Sequence, residues 1–296
     1  MKSVREHIYS KEDIPLVSIS CMTFNHVDYI VETLEGFLNQ KTSFPIEILI
    51  HDDCSLDGTT EIIKEYENKF PLIIKVEYET ENQWKKGRKG SVLFNFPRAL
   101  GKYIAICEGD DYWTDSFKLE KQIKALEENE EIAISMTKVR GLQDETGLEI
   151  KIRELIKPKS DSIYEFKDYL MYRFSQTSSF VLRKSCYSYN ILRKYYCGDQ
   201  AMVLNVALNG KIHYLNEYTS VYRINRKSIS FKGDSSKKRE SMLKFYNEVN
   251  TLTDYKYHKL VKVHLIYHKY FGYLNNNLLQ KIFNYLYISA LKFNKY

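Results

Sequence analysis

The chain has 296 residues, 44% hydrophobic and 28% charged, with a net charge of +6. That length suits one large domain plus an appendage, and no run reaches the roughly 18 uninterrupted apolar residues of a membrane span. Five cysteines (Cys21, Cys54, Cys107, Cys186 and Cys197) show no paired spacing, which points to a reducing compartment and gives no framework for a structural zinc.

In chain order, Met1 to His7 lacks the apolar core of a secretion signal. Residues 15–24 read as a strand, and Val27 to Asn39 as a helix with Ile30, Leu34, Phe37 and Leu38 at helical spacing. A second strand, 44–51, runs into His51-Asp52-Asp53-Cys54-Ser55-Leu56-Asp57-Gly58-Thr59, where Asp57 is placed to cap a helix ending at Lys69. Pro71 to Glu79 reads as a third strand, 80–90 as a polar, basic loop, and Ser91 to Leu100 as a weak helix interrupted by Pro97. Tyr103 to Cys107 is a short apolar strand that stops at Glu108, Asp110 and Asp111. Then come a charged helix from Lys118 to Asn129, a strand at 132–136, a polar excursion at 141–161 and a helix from Ile163 to Phe174. A strand at 177–183, a helix opened by Asp199 and a strand from Ile212 to Tyr222 follow. Beyond Asp234, lysine, tyrosine and apolar residues recur at helical spacing to the end.

Serial β-then-α units imply a parallel sheet, and in such sheets ligands sit outside the carboxyl ends of the strands. Thr23, Asn25, Asp53, Asp110 and Asp111 all fall at those ends. Clustered carboxylates repel unless a cation neutralises them, and hard oxygen ligands of this kind suit Mg²⁺ or Mn²⁺. The competing interpretation is a solvated acidic turn before the next helix.

The run Pro15 to Asn25 with Gln40 closing the first helix, then Asp52-Asp53-Cys-Ser-Leu-Asp57-Gly58-Thr59, then Gly101-Lys-Tyr-Ile-Ala-Ile-Cys-Glu-Gly-Asp110-Asp111, resembles the family 2 glycosyltransferases of the GT-A fold. The match covers roughly residues 14 to 231, with its elements in the family's order. It implies an α/β, Rossmann-like, mostly parallel sheet flanked by helices in residues 1–235, followed by a basic, tyrosine-rich helical tail in 236–296. It also implies transfer of a hexosyl or N-acetylhexosaminyl group from a nucleotide sugar, UDP-linked, to a hydroxyl of a growing glycan, with inversion.

Such an enzyme must hold a nucleotide diphosphate, neutralise the charge growing on it and deprotonate the acceptor. The resemblance places the pyrimidine contact on Asp53, beside Thr23, Asn25, Asp52 and Asp110; Asp52 and Asp53 equally suit capping of the following turn, and Asn25 suits shaping it. The resemblance assigns Mn²⁺ or Mg²⁺ to Asp110 and Asp111, with Glu108 where many members carry Asp. It assigns the base to Asp199, at a helix N-terminus that stabilises a carboxylate; a plain cap fits that position too. Glu108, Trp113, Arg223, Asn225 and Arg226 are candidates for diphosphate or acceptor contacts, with Asn225 where many relatives carry a metal-binding His. Trp113 reads as wall or core rather than sugar platform, and His51 as a hydrogen-bonded strand residue.

Residues 241–296 hold nine tyrosines and eight lysines against two acids, which is the entire net charge. Lysine stems and tyrosine rings suit a lipid interface, so the tail is expected to dock a cytoplasmic enzyme on the inner face of the plasma membrane, where a lipid-linked acceptor lies. Packing of the tail on the first domain or on a second copy is the rival arrangement. No nucleic-acid module is recognisable. A non-catalytic nucleotide-sugar-binding or scaffold protein of the same fold, and a sugar-nucleotide nucleotidyltransferase, remain the alternative functions.

Overall fold

The computed structural model describes the chain apart from residues 8, 11, 89, 145, 151–159, 172–174, 193–194, 196–197, 225–234, 272–285, 288 and 291–296. The first half alternates as the sequence predicts: β1 (Val17–Thr23), α1 (Ile30–Leu38), β2 (Ile46–Asp52), α2 (Thr59–Lys69), β3 (Ile74–Tyr78), α3 (Ser91–Arg98) and β4 (Tyr103–Ile106). There follow β5 (Tyr112–Trp113), α4 (Lys118–Glu128), β6 (Ile132–Gln143), β7 (Leu148–Ile150), β8 (Ser162–Tyr164), α5 (Phe166–Met171), β9 (Val181–Arg183), α6 (Gly198–Ala207), β10 (Lys211–Ile224), α7 (Ser235–Leu252) and α8 (His258–Tyr270).

Among the described residues, ten strands join one sheet, ordered β3-β2-β1-β4-β9-β6-β10-β5, with β7 on β6 and β8 on β10. The β3-β2-β1-β4 half is wholly parallel. Beyond β4 the sheet is mixed, because β9 enters antiparallel between β4 and β6 while β6 and β10 run parallel. Strand alternation divides the apolar residues between the two faces. In β4, Tyr103 and Ala105 join the cluster containing Ile30, Leu34 and Phe37 of α1 and Leu119 and Ile123 of α4. Ile104 and Ile106 join the opposite cluster, with Phe96 of α3, Tyr169 of α5 and Val203 of α6. Each fully buried Leu, Ile or Phe contributes about 1.5–3 kcal/mol, so this double-sided burial fixes the strand ends in space.

Several elements differ from the sequence expectation. Residues 162–164 pair with β10 as a strand, and the helix begins only at Phe166. β6 runs well past its predicted end, to Gln143, where it pairs with Ile224 at the end of β10, and Tyr112–Trp113 makes a two-residue strand on β10. Pairing with a neighbouring strand, which no local pattern reveals, holds these segments extended.

Residues on both sides of position 235 share one apolar cluster. Met242, Phe245, Tyr246 and Val249 present a helical stripe from α7, joined by Leu260 and Val261 of α8, against residues of α5 and α6. His264 donates Nε2–H to the Leu170 carbonyl, 2.8 Å away, and its ring stacks on Tyr246. No helix among the described residues is long and apolar enough to cross a membrane.

Candidate active site

The polar residues gather where the parallel strands end. β1 closes on Thr23, buried, whose Oγ1 lies 3.2 Å from His26 Nδ1. Gly109 packs directly against this pair: a Cβ there would meet Thr23 Oγ1 at 2.8 Å and His26 Nδ1 at 2.9 Å, so only glycine lets the backbone approach so closely. Asn25 takes a left-handed conformation, φ +54°, and its Oδ1 accepts the Leu56 N–H at 2.9 Å. It thereby shapes the turn that joins the ends of β1 and β2.

The two aspartates after β2 point to different partners. Asp52 accepts hydrogen bonds from the Ser55 N–H and hydroxyl through Oδ1 and from the Thr60 hydroxyl through Oδ2. Its carboxylate fastens the start of α2. Asp53 accepts the backbone N–H groups of Gln83, at 2.5 Å, and Trp84, at 3.1 Å. It thus ties the 80–90 loop to the sheet edge. Asp57 accepts from Thr59 and from the Val27 N–H, and these hydrogen bonds hold its carboxyl below the usual carboxylate range against the opposing cost of burial.

The acid turn after β4 is built otherwise. Thr33 of α1 donates its hydroxyl to the Asp111 carbonyl at 2.6 Å and the Gly109 carbonyl at 3.1 Å, pinning the turn from below. Asp111 is buried, and its Oδ1 accepts the Arg223 N–H at 2.9 Å. Burial, then repulsion from Asp110, pushes its carboxyl well above the usual range despite that hydrogen bond. Burial first, then Asp110 and Asp199, raises Glu108 to about 8. Asp110 is more open and faces His26 Nε2 across 3.9 Å. Asp199 sits in the first turn of α6 and accepts the Gln200 N–H at 2.8 Å. It lies within electrostatic range of Glu108, although the two are remote in sequence.

Arg223, at the end of β10, is nearly buried. Its guanidinium donates to the Asp110 carbonyl at 2.7 Å, pairs with Glu32 of α1, and lies over the Tyr112 and Tyr29 rings. It therefore braces the turn through both its backbone and its side chain. Trp113 is buried, donates Nε1–H to the Ser178 carbonyl at 2.8 Å and packs edge-on to Phe37, which makes it core rather than an open sugar platform. Asn225 and Arg226 lie outside the described residues.

Sequence reasoning passed over His26, Glu32, Thr33, Tyr29 and Tyr112. His26 directly follows the Thr-Phe-Asn motif and had a visible signal; the others are exposed to notice only once α1 and β10 are brought against the turn. The donor set offered by Asp110 and Asp111 is all carboxylate oxygen, with Glu108 beside it, and its crowded negative charge fits a hard divalent cation.

The family model for glycosyl transferase family 2 matches residues 18–189. An uncharacterized glycosyltransferase of Methanocaldococcus jannaschii is 30% identical over 222 residues, 72% of each chain. An uncharacterized protein of Mycobacterium tuberculosis is 34% identical over 208 residues, covering 70% of this chain, which spans 58% of that relative's length. The crystal structure of S. aureus TarS residues 1–349 in complex with UDP-GlcNAc superposes with a TM-score of 0.68, covering 93% of this chain and 81% of that one. At 17% identity that last likeness is one of fold.

Proposed function

The chain belongs to glycosyl transferase family 2 and has the GT-A fold, and we propose that it moves a hexosyl or N-acetylhexosaminyl group from a UDP-sugar to a glycan hydroxyl with inversion. The observation that supports this reading is the crowding of Glu108, Asp110 and Asp111 after β4, a cation-type acid cluster with a further carboxylate, Asp199, within electrostatic range of Glu108. The solved structure of similar fold that holds UDP-GlcNAc supports the choice of donor.

Asp110 and Asp111 would hold Mn²⁺ or Mg²⁺, which supplies positive charge to a diphosphate leaving group. Arg223 keeps that turn in shape by gripping the Asp110 carbonyl and the Asp111 carboxyl. Asp53, released from the Gln83 and Trp84 amides, accepts the imide N–H of uracil, with Thr23 forming the adjoining wall. Asp199 takes the proton of the acceptor hydroxyl as its oxygen bonds to C1 of the sugar. The bond from C1 to the phosphate oxygen breaks on the opposite face, and its electron pair leaves with the nucleoside diphosphate. The single displacement gives inversion. Lys244, Lys256, Lys259, Lys262 and Lys269 are exposed on α7, α8 and their connection, and support a tail resting on an anionic cytoplasmic leaflet beside a lipid-linked acceptor.

The test is a donor screen with UDP-, GDP- and CMP-sugars, with and without Mn²⁺, following released nucleotide. Metal-dependent release from a UDP-sugar is the expected result. No release from any donor, together with no nucleotide-induced rise in melting temperature, would overturn the reading in favour of a non-catalytic protein of this fold.

A further inference from the structure

His51 is the last-but-one residue of β2, and its side chain is completely buried, yet neither ring nitrogen has a close, well-formed hydrogen bond. Sequence reasoning treats it as a hydrogen-bonded strand residue; the structure gives it only long approaches to carboxylates, the nearer at the outer limit of a hydrogen bond. Buried polar atoms ordinarily have partners, and one without calls for an explanation. Two carboxylates are what the ring faces. Glu77, its register partner on β3, brings Oε2 to 3.5 Å from Nδ1, and Glu79 brings Oε1 to 3.9 Å from Nε2.

We propose that His51, Glu77 and Glu79 form a binding site for a divalent transition cation of the zinc class, separate from the acid turn at Glu108–Asp111. One ring nitrogen and one oxygen from each carboxylate lie within 4.8 Å of one another. Tetrahedral zinc with bonds of about 2.0–2.1 Å needs ligand atoms about 3.3 Å apart. The Nδ1–Glu77 spacing is already near that value; Glu79, whose Oε1 lies nearest the other ring nitrogen, would have to swing toward Nδ1 for both carboxylates to reach one ion. One imidazole with two carboxylates suits zinc or its first-row neighbours better than a hard all-oxygen site does. Glu77 is partly exposed, so its carboxylate can meet a cation arriving from solvent.

The surroundings orient these ligands as an outer shell does. The His51 ring stacks on Phe94 with centroids 3.8 Å apart. Gln83 Nε2 donates to Glu79 Oε2 at 2.8 Å, leaving Oε1 turned toward the histidine. Arg98, within electrostatic range of Glu77, directs its guanidinium hydrogen bonds to the Ile50 carbonyl and to Asn95. Gln83 also donates its backbone N–H to Asp53. A cation here would therefore stiffen the loop that covers Asp53.

The test uses the full chain, stripped with chelator and returned to buffer containing Mg²⁺, then titrated with Zn²⁺ by calorimetry and with Co²⁺ by visible absorption. One saturable Zn²⁺ site, a rise in melting temperature and a Co²⁺ d–d band are expected. Glu77→Gln and Glu79→Gln, the former partly exposed and both checked for folding by circular dichroism, should each lose at least 10-fold in Zn²⁺ affinity, whereas Asp110→Asn should keep it. No Zn²⁺ binding by the wild type, equal binding in E77Q and E79Q, or loss only in D110N would overturn the proposal.

Discussion

Two pairs of adjacent aspartates end neighbouring parts of the same sheet, and they live in opposite circumstances. Asp52 and Asp53, after β2, are supplied with donors by the protein itself: two hydroxyls and three backbone N–H groups. Asp110 and Asp111, after β4, are supplied mainly with one another and with Glu108; the Asp111 carboxyl accepts the Arg223 N–H, and that hydrogen bond does not offset burial. A carboxylate satisfied by neighbours stabilises the fold. A carboxylate left crowded in a buried turn costs stability and waits for a charge from outside. The number and kind of donors separate Asp52, held by two hydroxyls and a backbone N–H, from the acid turn; Asp53, held only by two loop amides, stands between them.

The largest effect should follow loss of charge at the acid turn or at Asp199. Asp111→Asn and Asp199→Asn are each expected to lower sugar transfer by about 10²–10⁴-fold, the range for removing a positioned acid or base. Asp111→Asn should leave the melting temperature unchanged or raise it, because the substitution removes a buried, repelled charge. A lower melting temperature with retained turnover would reverse the contrast between the two pairs.

Asp52→Asn should show the opposite pattern. It weakens three hydrogen bonds to a charged acceptor, each worth about 1.5–3 kcal/mol but only partly lost to an amide, so an overall loss of about 2 kcal/mol is expected in denaturant titration. Turnover should change by only a few-fold. Asp53→Asn sharpens the comparison within its own pair. UDP affinity, measured by calorimetry, should fall about 10-fold, equivalent to about 1.4 kcal/mol, while Asp52→Asn leaves it nearly unchanged. Equal losses in the two variants would mean that Asp53, too, merely fastens its loop.

Much of this was legible in the sequence. Apolar runs that stop at Thr23, Asp52 and Glu108 mark the ends of β1, β2 and β4 correctly, because strand burial on both faces leaves near-continuous apolar runs. What escaped depends on contacts between distant segments. Arg223 stands in a basic run that resembles a solvated face, yet its burial follows from the Tyr29, Tyr112 and Glu32 side chains closing around it. His51 was visible as a histidine beside acids, but Glu77 and Glu79 reach it only across the β2–β3 pairing.

Lys118 is the sharpest example, and it yields the smallest of the expected effects. It opens a helix whose charged pattern suggests a solvated face, but the structure buries it wholly, with Nζ 2.7 Å from Gln122 Oε1 and over the Trp113 ring. It lies close to the acid turn in sequence, so it could be mistaken for the missing counter-charge. Burial instead lowers its ammonium to about 7, with Cys107 and Asp115, not the turn carboxylates, as the charges acting on it. A lysine lowered from 10.5 to about 7 binds fewer protons folded than unfolded across that interval, so its neutral form favours the fold at high pH and that stability is lost as pH falls from about 10.5 to about 7. Lys118→Met removes this slope but leaves Gln122 Oε1 without its donor, a cost of about 1–3 kcal/mol against the relief of desolvation. The net change at pH 7 should therefore stay within about 1 kcal/mol, with the variant less stable than wild type at pH 10 and transfer activity nearly unchanged. If K118M abolishes turnover while keeping its fold, Lys118 does balance the acid turn, and the contrast between the two aspartate pairs narrows accordingly.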